Sequence, residues 1–177
     1  MIKALDTLSL RTGRAISWLT VAMVAVTFLV VVLRYLFSVG WVWMQESVVW
    51  MHALVFLVGA AYTLQRDEHV RVDIFYREMS HTRRALVDAL GVVVFLLPFC
   101  AFVIWSSWDY VVSSWRIGEG SREAGGLPYP FTPLLKSAIL LMAGLIACQG
   151  IAQLLRSIFV LTGRSTETPD PHGQSQL

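Results

Sequence analysis

Residues 15–33 read AISWLTVAMVAVTFLVVVL, a run without a single charge between Arg14 and Arg34. At about 1.5 Å per residue, a helix of this length crosses roughly 30 Å of hydrocarbon. Lipid offers no water to backbone N–H and C=O groups, so a stretch this apolar must pair them within a helix. Three more charge-free runs follow, from Ser47 to Gln65, Ala89 to Trp108 and Ser137 to Leu155. The expected fold is an all-α integral membrane protein with four transmembrane helices.

Composition agrees. The chain is 56% hydrophobic and 15% charged, whereas soluble domains run near 45–50% and about 25%. Mean hydropathy is +0.62. A net charge of +2 points to no nucleic-acid partner, and the lipid bilayer is the partner that composition implies. Cys100 and Cys148 both fall within spans, where free cysteines behave as small apolar residues, so no disulfide framework is implied. The first span follows Lys3, Arg11 and Arg14 and could imitate a signal peptide. Its apolar core is too long for that role and ends at Arg34-Tyr35 without a small-residue cleavage site, so an uncleaved anchor is expected.

Lys and Arg outside the spans set the expected orientation. Ten fall on one side: Lys3, Arg11 and Arg14, then Arg66, Arg71, Arg77, Arg83 and Arg84, and finally Arg156 and Arg164. Four fall on the other: Arg34, Arg116, Arg122 and Lys136. The positive-inside rule places both termini and the 66–84 connection in the cytoplasm. Trp41, Trp43, Trp50, Trp105, Trp108 and Trp115 gather toward the outer boundary, where an apolar ring with a polar N–H is at home. Trp115 extends the third helix past Asp109 toward Arg116.

In the cytoplasmic connection, Asp73 can cap a short surface helix with Ile74, Phe75 and Met79 on one side. Thr82 can then cap the third span. The outer connection carries Gly118, Gly120, Gly125-Gly126, Pro128, Pro130 and Pro133 and is expected to be irregular. Residues 1–163 thus form one membrane domain, and the polar residues 164–177 a disordered cytoplasmic tail.

An ionisable residue inside a span is the default functional candidate, and here it is His52. Gln45, His52, Gly59 and Arg66 recur every seven residues, as do Glu46, Ala53 and Ala60, which makes one small and polar stripe down the second helix. Small residues let helix backbones approach closely in lipid. The stripe reads as a protein-facing surface; a proton relay or ligand site at His52 is the sharper alternative. Gln149, Gln153 and Arg156 make a second stripe, which bonds to water or a neighbouring helix, or else meets a partner subunit. Glu119 and Glu123 with Arg116 and Arg122 read as a solvated outer surface.

Enzyme chemistry finds no footing. The histidines are His52, His69, His81 and His172, which cannot supply paired haem ligands on facing spans. Nucleophile elbow, Walker loop and zinc-ligand spacings are absent from the sequence, so no cofactor, metal or catalytic residue is expected. Pro98 is the one span-interrupting proline, a common kink in membrane helices.

Several motifs, in order, resemble those of the small permease subunit of tripartite ATP-independent periplasmic (TRAP) transporters, the DctQ-like family. Arg34-Tyr35-Leu36-Phe37 closes the first span, and Trp43-Met44-Gln45-Glu46 leads into the second. Gly59-Ala60-Ala61 runs on to His69-Val70-Arg71-Val72-Asp73, and Gly126-Leu127-Pro128 with Lys136 opens the last span. Gln45 stands where such proteins often carry a second acid, and Asp67-Glu68 where a neutral pair is common. The resemblance implies a bacterial inner-membrane subunit that is not an enzyme. It would brace a large permease subunit during Na⁺-coupled uptake of an organic acid delivered by a periplasmic solute-binding protein. Gln45, Glu46, His52, Gly59, Ala60, Gln149 and Gln153 are the expected subunit interface. The alternatives are a self-contained four-helix carrier, disfavoured by the lack of an intramembrane carboxylate, and a respiratory-complex anchor, disfavoured by the histidine count.

Overall fold

A computed structural model describes residues 2–65 and 79–163. They form four long helices: α1 (Ile2–Leu36), α2 (Val42–Gln65), α3 (His81–Arg116) and α4 (Phe131–Leu161). Each is long and apolar enough to cross a membrane, as the charge-free runs predict. The described residues contain no strand. The surface helix at Asp73, with His69 and Arg66, and the tail 164–177 lie outside the described residues.

The helices overrun their charge-free cores. α1 begins well before Arg11 and Arg14, and α3 ends at Arg116, where Trp115 predicted. At its other end α3 starts at His81 with Ser80 in the cap position and no side-chain cap bond. Thr82 therefore lies within the helix and does not cap it.

α4 is the centre of the bundle and packs against each of the other three, while α1 and α2 also pack together. A third of its most apolar stretch (33%) is buried within the chain, against none of the corresponding stretch of α1. Most of its buried positions are small, with Ala138, Ala143, Gly150 and Ala152 among them. Close backbone approach is how helices associate when lipid is as apolar as their side chains. Val58 and Ala61 of α2 meet Leu145 of α4 in the core, flanked by Ile16, Leu54 and Ile146.

Two glycines decide how near the helices come. A Cβ on Gly13 of α1 would sit 2.5 Å from the ring of Tyr62 on α2. A Cβ on Gly150 would sit 2.3 Å from Leu96 Cδ2 of α3. Leu96 closes a π-helical turn, Val92–Leu96, in which the Leu97 N–H reaches back to the Val92 carbonyl. Pro98 follows directly and has no N–H to donate to residue 94, so the wider turn absorbs what would be a broken α-helical ladder.

α1 ends in a left-handed residue, Ser38 (φ 54°), with the Val39 N–H on the Leu33 carbonyl at 3.0 Å. The bond spans six positions, one more than the six-to-one bond of a Schellman closure, so the helix ends in a wider turn about the same left-handed residue.

Candidate interaction surface

The outer connection, residues 117–130, is irregular but not loose. Glu46, early in α2, accepts the Leu127 backbone N–H at 2.6 Å through Oε2 and the Ser121 hydroxyl through Oε1. Ser121 Oγ in turn accepts the Glu123 N–H at 3.0 Å. The Trp43 N–H, one of the orphan donors of the α2 N-terminus, reaches the Gly125 carbonyl at 3.1 Å. Gly126 fits here because a Cβ would lie 2.3 Å from Ser121 Oγ and 2.6 Å from Glu46 Oε2. Pro128 is exposed, and its carbonyl accepts the Phe131 N–H that opens α4, at 3.1 Å. Trp43, Gly126 and Pro128 thus share one clasp between α2, the outer connection and α4.

A second clasp joins α3 to α4. Glu119 pairs with Lys136 and accepts the Ser114 hydroxyl at 2.6 Å. Lys136 Nζ also lies 3.9 Å above the Tyr110 ring, a cation–π contact. The hydrogen bonds from Lys136 and then Ser114 hold the Glu119 carboxyl below its ordinary range, because both favour the ionised form. The expectation that Glu119 belongs to a solvated surface is corrected: one turn into α4, Lys136 reaches it. Arg116, Arg122 and Glu123 are exposed, as expected. Two indoles reinforce the same end. Trp50 Nε1 donates to the Phe131 carbonyl at 3.0 Å, and Trp115 Nε1 to Ser137 Oγ at 2.9 Å.

At the opposite end, α1, α2 and α4 are tied by a polar knot. Gln149, only 1% exposed, accepts the Ser9 hydroxyl at 3.1 Å and donates to Asp6 Oδ1 at 3.3 Å. Arg156 pairs with the same carboxylate oxygen. Gln65 Nε2 donates to the Asp6 carbonyl at 3.1 Å. Gln149 is therefore occupied within the chain, and Gln153, one turn on, is half-buried. Asp6, Ser9, Ser114 and Ser121 carry these contacts and were not singled out by sequence. Asp6 alone had a signal, as an acid at the membrane depth of Arg156.

The stripe on α2 splits in two. Glu46 faces the clasp and Ala60 is half-buried. Gln45 and His52 lie exposed on one open face with Val49 and Phe56. The His52 ring rests on Phe56, with centroids 4.7 Å apart and planes at 52°. A Cβ on Gly59 would meet nothing within 4 Å, so no described helix of the chain lies against it. Arg34 is exposed at the end of α1.

Four helices long and apolar enough to span a membrane, clasped by polar side chains at both ends and with Gln45 and His52 exposed on one face, define a multi-pass membrane protein. The family model for the DctQ component of tripartite ATP-independent periplasmic transporters matches residues 23–160, and the chain belongs to that family of small transporter subunits. It is 35% identical over 89 residues to the C4-dicarboxylate TRAP transporter small permease protein DctQ of Vibrio cholerae serotype O1. That alignment covers 50% of this chain and 38% of the relative, well short of its whole length. No solved structure matches.

Proposed function

We propose that this chain is the static small membrane subunit that braces a large permease subunit in the bacterial inner membrane. The large subunit would move an organic acid, delivered by a periplasmic solute-binding protein, at the expense of the Na⁺ gradient. Both termini face the cytoplasm in this reading, and the clasped outer connection faces the periplasm. The ten-to-four partition of Lys and Arg supports that orientation.

The observation that carries the reading is the open face of α2. Gln45 and His52 are exposed on a helix apolar enough to span the membrane, and Gly59 has room beside it. Polar side chains in hydrocarbon call for a protein partner, and glycine lets a partner's backbone come close. Clasps at both ends suit a part that must stay still while a neighbour moves.

Replacing Gly59 with Leu tests this. The open space beside Gly59 means the isolated chain should keep its folded yield and melting temperature. Co-purification with the large subunit should drop several-fold, because the added side chain pushes the two helices apart. Leu57→Phe, on another face, should be tolerated in both measurements. Unchanged co-purification of Gly59→Leu would assign this face to lipid.

A further inference from the structure

Arg11 and Arg14 are exposed on α1, and neither pairs with an acid among the described residues. Arg14 directly precedes the charge-free run that begins at Ala15, so the pair stands at the edge of the hydrocarbon, at the depth of the lipid headgroups. Three positions apart on a helix, the two side chains leave one face about 5–6 Å from each other. The fold turns that face outward. Ser9 and Gly13 are buried on the opposite side, where Ser9 bonds Gln149 and Gly13 lets Tyr62 approach, and Ile16 packs against the core. Asp6, an acid of the same helix, is already held by Arg156 and Gln149. The rotation of α1 is thus fixed, with both guanidiniums directed away from the helices it packs on.

The same face continues into the hydrocarbon without a polar interruption. Trp18, Val21 and Ala25 follow at helical spacing, all exposed, Trp18 and Val21 at 72% and 59%. Trp18, one turn beyond Arg14, sets a single N–H donor on an apolar ring. Two unpaired cations, an indole one turn deeper and an apolar face beyond it complement the parts of one anionic phospholipid in order: phosphate, glycerol ester, acyl chain. We propose that Arg11, Arg14 and Trp18 form a binding site for an anionic phospholipid. The guanidiniums donate to its phosphate, a geometry their planar forks suit, and the Trp18 N–H donates to an ester carbonyl. An acyl chain lies along Val21 and Ala25. Each arginine near an anionic membrane surface contributes roughly a five-fold gain in affinity. The site is independent of the bracing role, so the purified chain alone tests it.

The test is native mass spectrometry of the chain in detergent with added phosphatidylglycerol or phosphatidylcholine, matched in acyl chains and different in headgroup charge. The wild-type chain should retain phosphatidylglycerol several-fold better than phosphatidylcholine, and phosphatidylglycerol should raise its melting temperature. Arg11→Gln with Arg14→Gln should remove both effects. Without lipid that variant should melt with wild type, because neither side chain has an ion-pair partner among the described residues. Arg11→Lys with Arg14→Lys should keep part of the preference, since the charge remains and the fork is lost. Arg116→Gln with Arg122→Gln removes two exposed charges at the other end of the molecule and should keep all of it. Inorganic phosphate should give no shift, having no acyl chain for Val21 and Ala25 to hold. Equal retention of the two lipids by wild type, or an equal loss in both double-glutamine variants, would overturn the site. A shift reproduced by inorganic phosphate would do the same. So would unchanged lipid retention in Arg11→Gln with Arg14→Gln accompanied by loss of a co-purifying membrane protein, which would give the face to a protein carboxylate.

Discussion

Glu46 and Leu127, 81 residues apart, are joined by a 2.6 Å hydrogen bond from the Leu127 backbone N–H to the Glu46 carboxylate. Through it the outer connection becomes an extension of α2. The Ser121 hydroxyl occupies the other carboxylate oxygen, and Gly126 leaves the room both contacts need.

Removing the carboxylate should therefore loosen the outer end. Glu46→Ala leaves the Leu127 N–H and the Ser121 hydroxyl without their acceptor and should cost about 1–3 kcal/mol. Glu46→Gln can still accept from Leu127 and donate to Ser121, so it should lose less than half as much. Gly126→Ala should resemble Glu46→Ala, because its Cβ would collide with Ser121 Oγ. Thermal unfolding of the purified chain in detergent ranks the three. Equal melting temperatures for Glu46→Ala and wild type would show that the clasp contributes nothing.

Gln149 makes the corresponding prediction for the other end. Both it and Ser9 are almost completely buried, at 1% and 2% exposure, so the Ser9 hydroxyl and the Gln149 side-chain carbonyl depend on each other for their hydrogen bond. Gln149→Leu should destabilise the chain by about 1–3 kcal/mol. In a double-mutant cycle with Ser9→Ala the two losses should fall short of additivity by about 0.6–2 kcal/mol, the scale of interhelical hydrogen bonds in membranes. Strict additivity would mean the pair is not coupled.

Glu119 gives the pH dependence. Its carboxyl is held below the ordinary range by hydrogen bonds from Lys136 and Ser114. A depressed carboxyl stabilises the fold fully above its unfolded pKa, about 4.3, and that stabilisation disappears as pH falls through the lower folded value. Melting temperature should thus be insensitive to this group near neutrality and fall on acidification below the ordinary carboxylate range. Glu119→Gln should flatten that part of the profile, and an unchanged acid slope in the variant would contradict the assignment.

The four helices were legible because lipid imposes a single rule, and Ala15 to Leu33 satisfies it without reference to any other residue. That Gln45, His52 and Gly59 share a face of α2 was legible for a similar reason, through helical periodicity alone. The ties between helices were not. Asp6 and Arg156 are 150 positions apart, and nothing local to either marks the other as its partner. Glu119 looked like a surface acid because its neighbours Arg116, Arg122 and Glu123 are surface residues; its real partner, Lys136, arrives with the next helix. Gln149 sat in a stripe open to water, a neighbouring helix or a partner subunit, and only the arrival of α1 beside α4 brings Ser9 to it. Periodicity gives a face, and the fold decides which faces are used up inside the chain.

A bracing subunit, unlike a carrier, transports nothing by itself. The measurement is uptake of a radiolabelled C4-dicarboxylate, and of a small panel of other organic acids, into proteoliposomes under an inward Na⁺ gradient. The vesicles contain this chain alone, the large subunit alone, or both, with the periplasmic binding protein supplied outside. No uptake is expected from this chain alone, and the full rate only when both membrane subunits are present. Na⁺-dependent accumulation by this chain alone would contradict the bracing role and make the chain a carrier in its own right.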